Sequence, residues 1–274
     1  MSEANLYGGF FRGKTALITG SSRGIGRATA HALGRAGARV VVNGRNRETV
    51  AKTVAEIEAM GGDALAAVGD VTDPGQSRRI VEEAVGAFGR LDILVNNAGI
   101  SMRGRFERVK PEVIREVVEL NVLGSAYAAR FAIPYLRETK GGLVFVSSLA
   151  GLIRGLPNIS VYAFSKMSLT GLAESLMVEL AGTGVYVGII YPGLTEYDPE
   201  KRALDADGNL IALSRESHSS MDHVARAILR MIRRRRAKTV LTAAGKLGSV
   251  GQWLSPGLVR FALAVSQRTN PLYK

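Results

Sequence analysis

The chain has no cysteine and only three histidines in 274 residues. Disulfides and thiolate metal sites are thereby excluded, and no metal centre built on histidine is expected. It also lacks an uninterrupted apolar run of membrane-spanning length, because the stretch from Leu247 to Val265 is broken by Gln252, Pro256, Gly257 and Arg260. The first residues hold an early acid, Glu3, and no apolar h-region, so they do not read as a signal peptide. A cytoplasmic protein is the expectation. No Pro/Gly/Ser-rich linker and no internal repeat divides the sequence, and residues 1–274 read as one domain. With 46% hydrophobic and 22% charged residues, the composition is that of a globular chain rather than a disordered one.

Acids are scarce: 36 Lys and Arg against 24 Asp and Glu leave a net charge of +12. Part of the excess is local. Arg226 to Lys238 holds seven basic residues and no acid, including the run Arg233 to Arg236. The simplest reading is a set of cations at a helix C-terminus, where they suit the macrodipole. No nucleic-acid motif and no interleaved aromatics accompany the run, so nucleic acid is not an expected partner. Peripheral contact with an anionic membrane surface stays open, through this cluster and the apolar C-terminal extension, residues 245–274. Packing of that extension within the protein or its oligomer is the favoured alternative.

From Lys14 onward, short apolar runs alternate with longer amphipathic segments. The runs 15–19, 38–43, 64–69, 91–96, 142–147, 185–190 and 238–242 are rich in Val, Ile and Leu without polar alternation, as strands buried on both faces are. Helical patterns fall between them at 24–36, 46–60, 74–88, 111–137, 160–181 and 222–235. Seven strands with six intervening helices predict an α/β fold: a Rossmann-type, doubly wound parallel sheet. The long connection 194–220 breaks the alternation, and a connection of that length is usually functional or disordered. It reads as a lid over the substrate.

The first strand runs into Thr19-Gly20-Ser21-Ser22-Arg23-Gly24-Ile25-Gly26 and then a helix. Glycines at 20, 24 and 26 allow a tight turn and close approach of backbone to phosphate, and the helix N-terminus offers N–H groups and a positive dipole end. The context is that of a dinucleotide-binding turn, with Ser22, Arg23 and Ile25 beside the glycines. An NAD enzyme of this build places an acid near the end of the second strand for the ribose 2′-hydroxyl. Here that strand ends Val42-Asn43-Gly44-Arg45, with no acid before Glu48. Arg45 and Arg23 flank the same pocket and suit a 2′-phosphate, which favours NADP(H) over NAD(H).

Tyr162 and Lys166, four residues apart on a predicted helix, share one face. An ammonium beside a phenol favours the phenolate and makes tyrosine a usable acid or base nearer neutral pH. Ser148 follows the fifth strand at the carboxyl edge of the sheet, where open α/β folds bind ligands.

In combination these segments resemble the short-chain dehydrogenase/reductase family, from about Lys14 to Thr242. The resemblance rests on TGSSRGIG (19–26), Asp70-Val71, Asn96-Asn97-Ala98-Gly99, Asn121, Ser147-Ser148-Leu149-Ala150-Gly151, Tyr162-x-x-x-Lys166 and Pro192-Gly193. It implies a tetrad of Asn121, Ser148, Tyr162 and Lys166. Tyr162 would exchange a proton with the carbonyl oxygen, Ser148 would hydrogen-bond that oxygen, and Lys166 would bind the nicotinamide ribose and tune Tyr162. Asn121 would position a relay water. Asp70 and Val71 would flank the adenine. Asn97, Ala98 and Gly99 would line the cofactor ribose and backbone, and Ile190, Pro192 and Gly193 the nicotinamide end. Association into a homodimer or homotetramer through helices 111–137 and 160–181 is likewise implied.

Two departures stand out. Ser148 and Tyr162 are 14 positions apart, one more than is usual in the family, which implies an extra residue in 152–160 and leaves Ser147 as an alternative serine. The threonine expected to meet the carboxamide comes early, as Thr195, with Tyr197 at its usual place.

The expected substrate walls are 100–106, 149–159 and 194–220. They bring Ile100, Met102, Phe106, Leu149, Leu152, Ile153, Leu156 and Ile159, with Arg103, Arg105 and Arg154 nearby. These residues either line a pocket or pack on one another. The first reading suits a lipophilic ketone or alcohol, in keeping with the hydroxysteroid and lipid-ketone reductase branch that the SSLAG segment and apolar tail resemble. The alternative function is a nicotinamide-binding sensor or scaffold without turnover. His223 is expected in the first turn of its helix, and neither it nor His218 is given a role.

Overall fold

The structure is a computed structural model that describes residues 7–195, 202–212 and 219–269, with side chains to residue 265. The elements follow the predicted alternation. They are β1 (Thr15–Ile18), α1 (Gly24–Arg35), β2 (Arg39–Gly44), α2 (Arg47–Ala59), β3 (Asp63–Val68), α3 (Pro74–Phe88), β4 (Ile93–Asn96) and β5 (Ser101–Met102). The chain continues with α4 (Pro111–Val118), a π turn (Glu119–Leu123), α5 (Gly124–Thr139), β6 (Gly142–Val146), α6 (Ser160–Glu179) and β7 (Tyr186–Tyr191). After β8 (Arg202–Leu204) and β9 (Leu210–Ala212) come α7 (Met221–Arg233), β10 (Lys238–Val240), α8 (Ala243–Leu254) and α9 (Pro256–Thr269).

Seven strands form one parallel sheet in the order β10-β7-β6-β4-β1-β2-β3. Successive strand residues point to opposite faces, so Ala16 and Ile18 enter one core and Leu17 the other. The first core is closed by α1, α2 and α7, through Leu33, Ile57, Ile228 and Ile232. The second is closed by α3, α5 and α6, through Ile80, Leu136, Leu169 and Leu176. Burial on both faces is why β1, β2, β4, β6 and β7 read as unbroken apolar runs. The runs at 64–69 and 238–242, expected to be buried alike, form the sheet edges β3 and β10 and are partly exposed.

The strand order reverses between β1 and β4, and the crevice at their carboxyl ends is where such sheets bind ligands. Three features there differ from expectation. The segment 111–137 is interrupted by the π turn, which carries Asn121. The 194–220 connection contains β8 and β9, which join β5 in a small second sheet of order β5-β8-β9. A third core of Met102, Val109, Val113, Val161 and Leu204 ties this sheet to α4 and α6. The tail is two helices broken at Ser255-Pro256, and their apolar residues largely face outward: Trp253 is 83% exposed and Phe261 67%.

The Arg233–Arg236 run lies at the amino edge of the sheet, remote from the ligand crevice. Arg230 and Arg233 occupy the last turn of α7. Arg235 Nη2 donates to the carbonyls of Lys140 and Gly184, both at 2.7 Å. The helix-end placement thus holds for Arg230 and Arg233, while Arg235 ties together the turns before β6 and β7. His223 sits in the first turn of α7, its N–H bonded to the Ser220 N-cap hydroxyl. His218 and Tyr197 lie outside the described residues.

Candidate active site

After β1 the chain turns through Thr19–Arg23 into α1. Gly20 and Gly24 adopt φ of +60° and +59°, the left-handed region that favours glycine. A Cβ on Gly20 would lie 2.8 Å from Ala98 Cα, and one on Gly26 would collide with Asn97 Nδ2 and the Gly20 carbonyl. Gly20 and Gly26 thus let the loop close onto residues 97–99, rather than facing the ligand themselves. The N-cap residue of α1, Arg23, makes no side-chain cap bond to the helix, and no carboxylate stands in its first turn. Gly24 and Ile25 line the cavity, so the positive end of this helix meets whatever binds there.

Buried and half-buried hydrogen bonds hold the loop. Thr19 Oγ1 accepts from the Asn97 and Ala98 N–H groups at 3.0 Å each. Asn97 Nδ2 returns bonds to the Thr19 and Gly20 carbonyls at 3.0 and 2.9 Å. Asn43, 1% exposed, accepts from Gly20 N–H at 3.3 Å and donates to the carbonyls of Ala67 and Gly69. Sequence reasoning noticed neither job for Thr19 and Asn43. The available signal was a polar residue inside an apolar strand, which must find partners when buried.

At the ends of β2 and β3, Arg45 Nη1 lies 3.5 Å from Asp70 Oδ2, while Asp70 Oδ1 accepts from the Thr72 N–H and hydroxyl at 2.9 Å. Arg45 is 62% exposed. No carboxylate ends β2, and a Cβ at Gly44 would already meet Ser22 Oγ at 3.0 Å, which puts Ser22 against Gly44, the residue before Arg45. Val71 is buried against Gly124.

Asn121 is wholly buried. Its Oδ1 accepts from Ile100 N–H at 2.8 Å, and its Nδ2 donates to the Ile100 carbonyl and to Ser165 Oγ, both at 2.9 Å. Ser165 in turn donates to the Tyr162 carbonyl at 2.8 Å. The amide thus clamps the strand end at Ile100 to the helix bearing Tyr162, with both its protons committed to protein acceptors. Lys166 is 5% exposed, and its Nζ donates to the Val146 carbonyl at 3.1 Å, 5.9 Å from the Tyr162 ring centre. A Cβ on Gly99 would lie 2.9 Å from Asn121 Oδ1 and 3.4 Å from Lys166 Nζ, so only glycine leaves this corner open.

The two serines separate by their bonds. Ser147 is 5% exposed and its hydroxyl donates to the Lys166 carbonyl at 3.1 Å. Ser148 accepts from Ala150 N–H at 3.2 Å, and its own proton has no acceptor among the described residues. Ser148 is the hydroxyl available to a ligand. The long spacing to Tyr162 is taken up by a loop in which Gly155 and Asn158 have φ of +85° and +58°.

One cavity of about 1080 Å³ joins these groups. It is lined by Gly24, Ile25, Asn97 and Gly99, then by Ser148, Tyr162 and Lys166, and farther on by Pro192, Gly193 and Thr195. Ile190 is fully buried in the core and contributes no wall. Among the expected apolar wall residues, Ile100, Met102, Leu149, Ile153, Leu156 and Ile159 line it. Leu152 packs into the second core and Phe106 faces outward at 62% exposure. Arg103, Arg105 and the unanticipated Arg108 reach the cavity; Arg154 does not.

This arrangement has known counterparts. Residues 14–207 match the short chain dehydrogenase family. The chain is 40% identical over 187 residues to an uncharacterized oxidoreductase of Thermotoga maritima, covering 68% of this chain and 73% of that one. A dehydrogenase/reductase from Sinorhizobium meliloti superposes with a TM-score of 0.76 at 29% identity, covering 88% of this chain and 97% of that chain. A metagenomic short-chain oxidoreductase solved in complex with NADP gives 0.71 at 27% identity, covering 84% and 97%. Family match, sheet order and the glycine-loop crevice agree, and the chain belongs to the short-chain dehydrogenases as an oxidoreductase built to bind a nicotinamide cofactor.

Proposed function

We propose that this oxidoreductase uses NADP(H) to interconvert a carbonyl and an alcohol, with Tyr162 as the proton donor and acceptor. The observation that carries the reading is that Ser148, Tyr162 and Lys166 line the same cavity as the α1 N-terminus. A reacting carbon in that cavity has a hydroxyl, a phenol and an ammonium on one side. The bound dinucleotide supplies the hydride. Tyr162 Oη gives a proton to the carbonyl oxygen, or takes it from the alcohol. Ser148 Oγ donates a hydrogen bond to that oxygen and stabilises its developing charge. The Lys166 ammonium favours the phenolate and binds the nicotinamide ribose. Asn121 acts through others, as a positioning residue that fixes Ile100 and α6.

The preference for NADP(H) rests on the missing carboxylate at Gly44, with Arg45 and Ser22 beside it. A 2′-phosphate would compete with Asp70 for the exposed Arg45 guanidinium. The complexed NADP in a structural relative supports the same choice. The substrate we favour is a lipophilic ketone or alcohol, because Met102, Leu149, Ile153 and Leu156 build much of the wall beyond Tyr162. The outward-facing Phe164 and Val178 of α6, 56% and 77% exposed, suit burial in a homodimer or homotetramer.

The test is NADPH oxidation over a panel from short aliphatic to long-chain and polycyclic ketones, with NADH in parallel. Turnover with NADPH and a gain along the lipophilic series are expected. NADPH binding without turnover of any ketone would leave the sensor reading, and equal use of both nicotinamides would remove the NADP(H) assignment.

A further inference from the structure

Seven large apolar side chains on α8 and α9 are exposed by 45% or more: Leu247, Val250, Trp253, Leu254, Leu258, Phe261 and Val265. A patch of this density on a soluble surface marks an interaction site. The same two helices form the outer support of the cavity. Gly245 lies against Leu149 and Gly248 against Ile153, both cavity residues. Gln252, 8% exposed, accepts from the Arg154 N–H at 3.2 Å. From α9, Arg260 and Leu263 approach Gly155 in the loop that carries Ile153 and Leu156.

Charge distinguishes among occupants. Asp222 is the last acidic residue of the sequence, so the tail carries Lys246, Arg260, Arg268 and Lys274 with no acid at all. Lys246, Arg260 and the adjoining Arg154 are exposed. A two-fold contact between copies through this face would bring cations against cations, since each patch meets itself. A lipid surface of negative charge meets both needs, taking the apolar side chains among its acyl chains and the cations among its headgroups. An outward tryptophan at such a boundary is in its preferred place. The Arg233–Arg236 run, at the opposite edge of the sheet, takes no part.

We infer that α8 and α9 form a peripheral docking surface for an anionic membrane, placing the mouth of the catalytic cavity at the bilayer where a lipid-dissolved carbonyl or alcohol can enter. The docking surface stands without the reductase assignment; the entry of substrate rests on it.

Co-sedimentation of the full chain with vesicles of phosphatidylcholine, with and without phosphatidylglycerol, tests the docking without any turnover. Binding is expected to the anionic vesicles, weakening with salt. It should fall at least about tenfold in a Trp253→Glu, Phe261→Glu variant, neither residue lining the cavity. Reduction of a water-soluble ketone by that variant should match the parent, and its circular dichroism and Tm serve as checks of folding. A Lys246→Glu, Arg260→Glu variant should lose the preference for anionic lipid. Absence of vesicle binding by the parent overturns the inference. So does a fall in oligomeric mass of the Trp253/Phe261 variant by light scattering, which would assign the patch to a second copy of the chain.

Discussion

The two ends of the cavity are made differently. Around Gly20 to Gly26 the contacting surface is mostly backbone, and what matters is the absence of side chains. Around Tyr162 it is side chains, backed by buried polar contacts: Asn121 through Ser165 to the Tyr162 carbonyl, Lys166 to the Val146 carbonyl, and Ser147 to the Lys166 carbonyl. The contrast teaches that the dinucleotide end should fail by collision and the catalytic end by loss of chemistry, so the two kinds of damage should separate in measurement.

Tyr162→Phe is the largest expected effect and the sharpest test of that separation. Removing the hydroxyl should lower kcat by about 10²- to 10⁴-fold, while NADPH affinity by fluorescence titration stays within about twofold, because the ring and its packing remain. A parallel loss of cofactor binding would show the two ends are not independent. Arg45→Ala comes next. Losing a charge-assisted bond to a 2′-phosphate should weaken NADPH by about 10- to 100-fold and leave NADH unchanged; equal weakening of both would place Arg45 elsewhere. Gly26→Ala should show the collision mode, with a destabilisation of about 1–3 kcal/mol and weaker binding of both dinucleotides, read by thermal melts with and without ligand.

The smallest effect lies away from both ends. His31 Nε2 is 3.0 Å from Glu56, yet burial outweighs that carboxylate and holds the imidazole below its ordinary pKa. The fold therefore favours neutral His31. Its contribution is present above the ordinary histidine range and is lost as pH falls through that range toward the lowered value. His31→Gln should flatten the dependence of Tm on pH there by about 1 °C or less, the group being partly solvated. A steeper profile in the variant would reverse the sign.

Most of the sheet was legible because its strands are buried on both faces, which leaves unbroken apolar runs such as Val40-Val41-Val42. The glycine loop and Tyr162–Lys166 were legible because their spacing has direct geometric meaning. The π turn was not. Its two ends, Glu119 and Leu123, keep helical dihedrals, so no composition signal marks the change of hydrogen-bond register that carries Asn121. Strands β8 and β9 escaped because three-residue strands are too short to show alternation. The burial of Tyr7 and Phe11, packed edge to face at 5.4 Å, depended on tertiary contacts that a local pattern does not encode. Among wall residues, Phe106 and Leu152 misled because an apolar loop residue has no periodicity from which to read its direction.

The pairing of β5 with β8 has a mechanical consequence. Ser101 and Met102 are ladder partners of Ala203 and Leu204, and the next residue toward the N-terminus, Ile100, is the one Asn121 grips. Residues 202–212 are therefore tied through β5 to α6, the helix that carries Tyr162, not draped over it. An outward swing that peeled β8 from β5 would pull at the strand end held by Asn121, whose amide also bonds Ser165 on the helix that carries Tyr162.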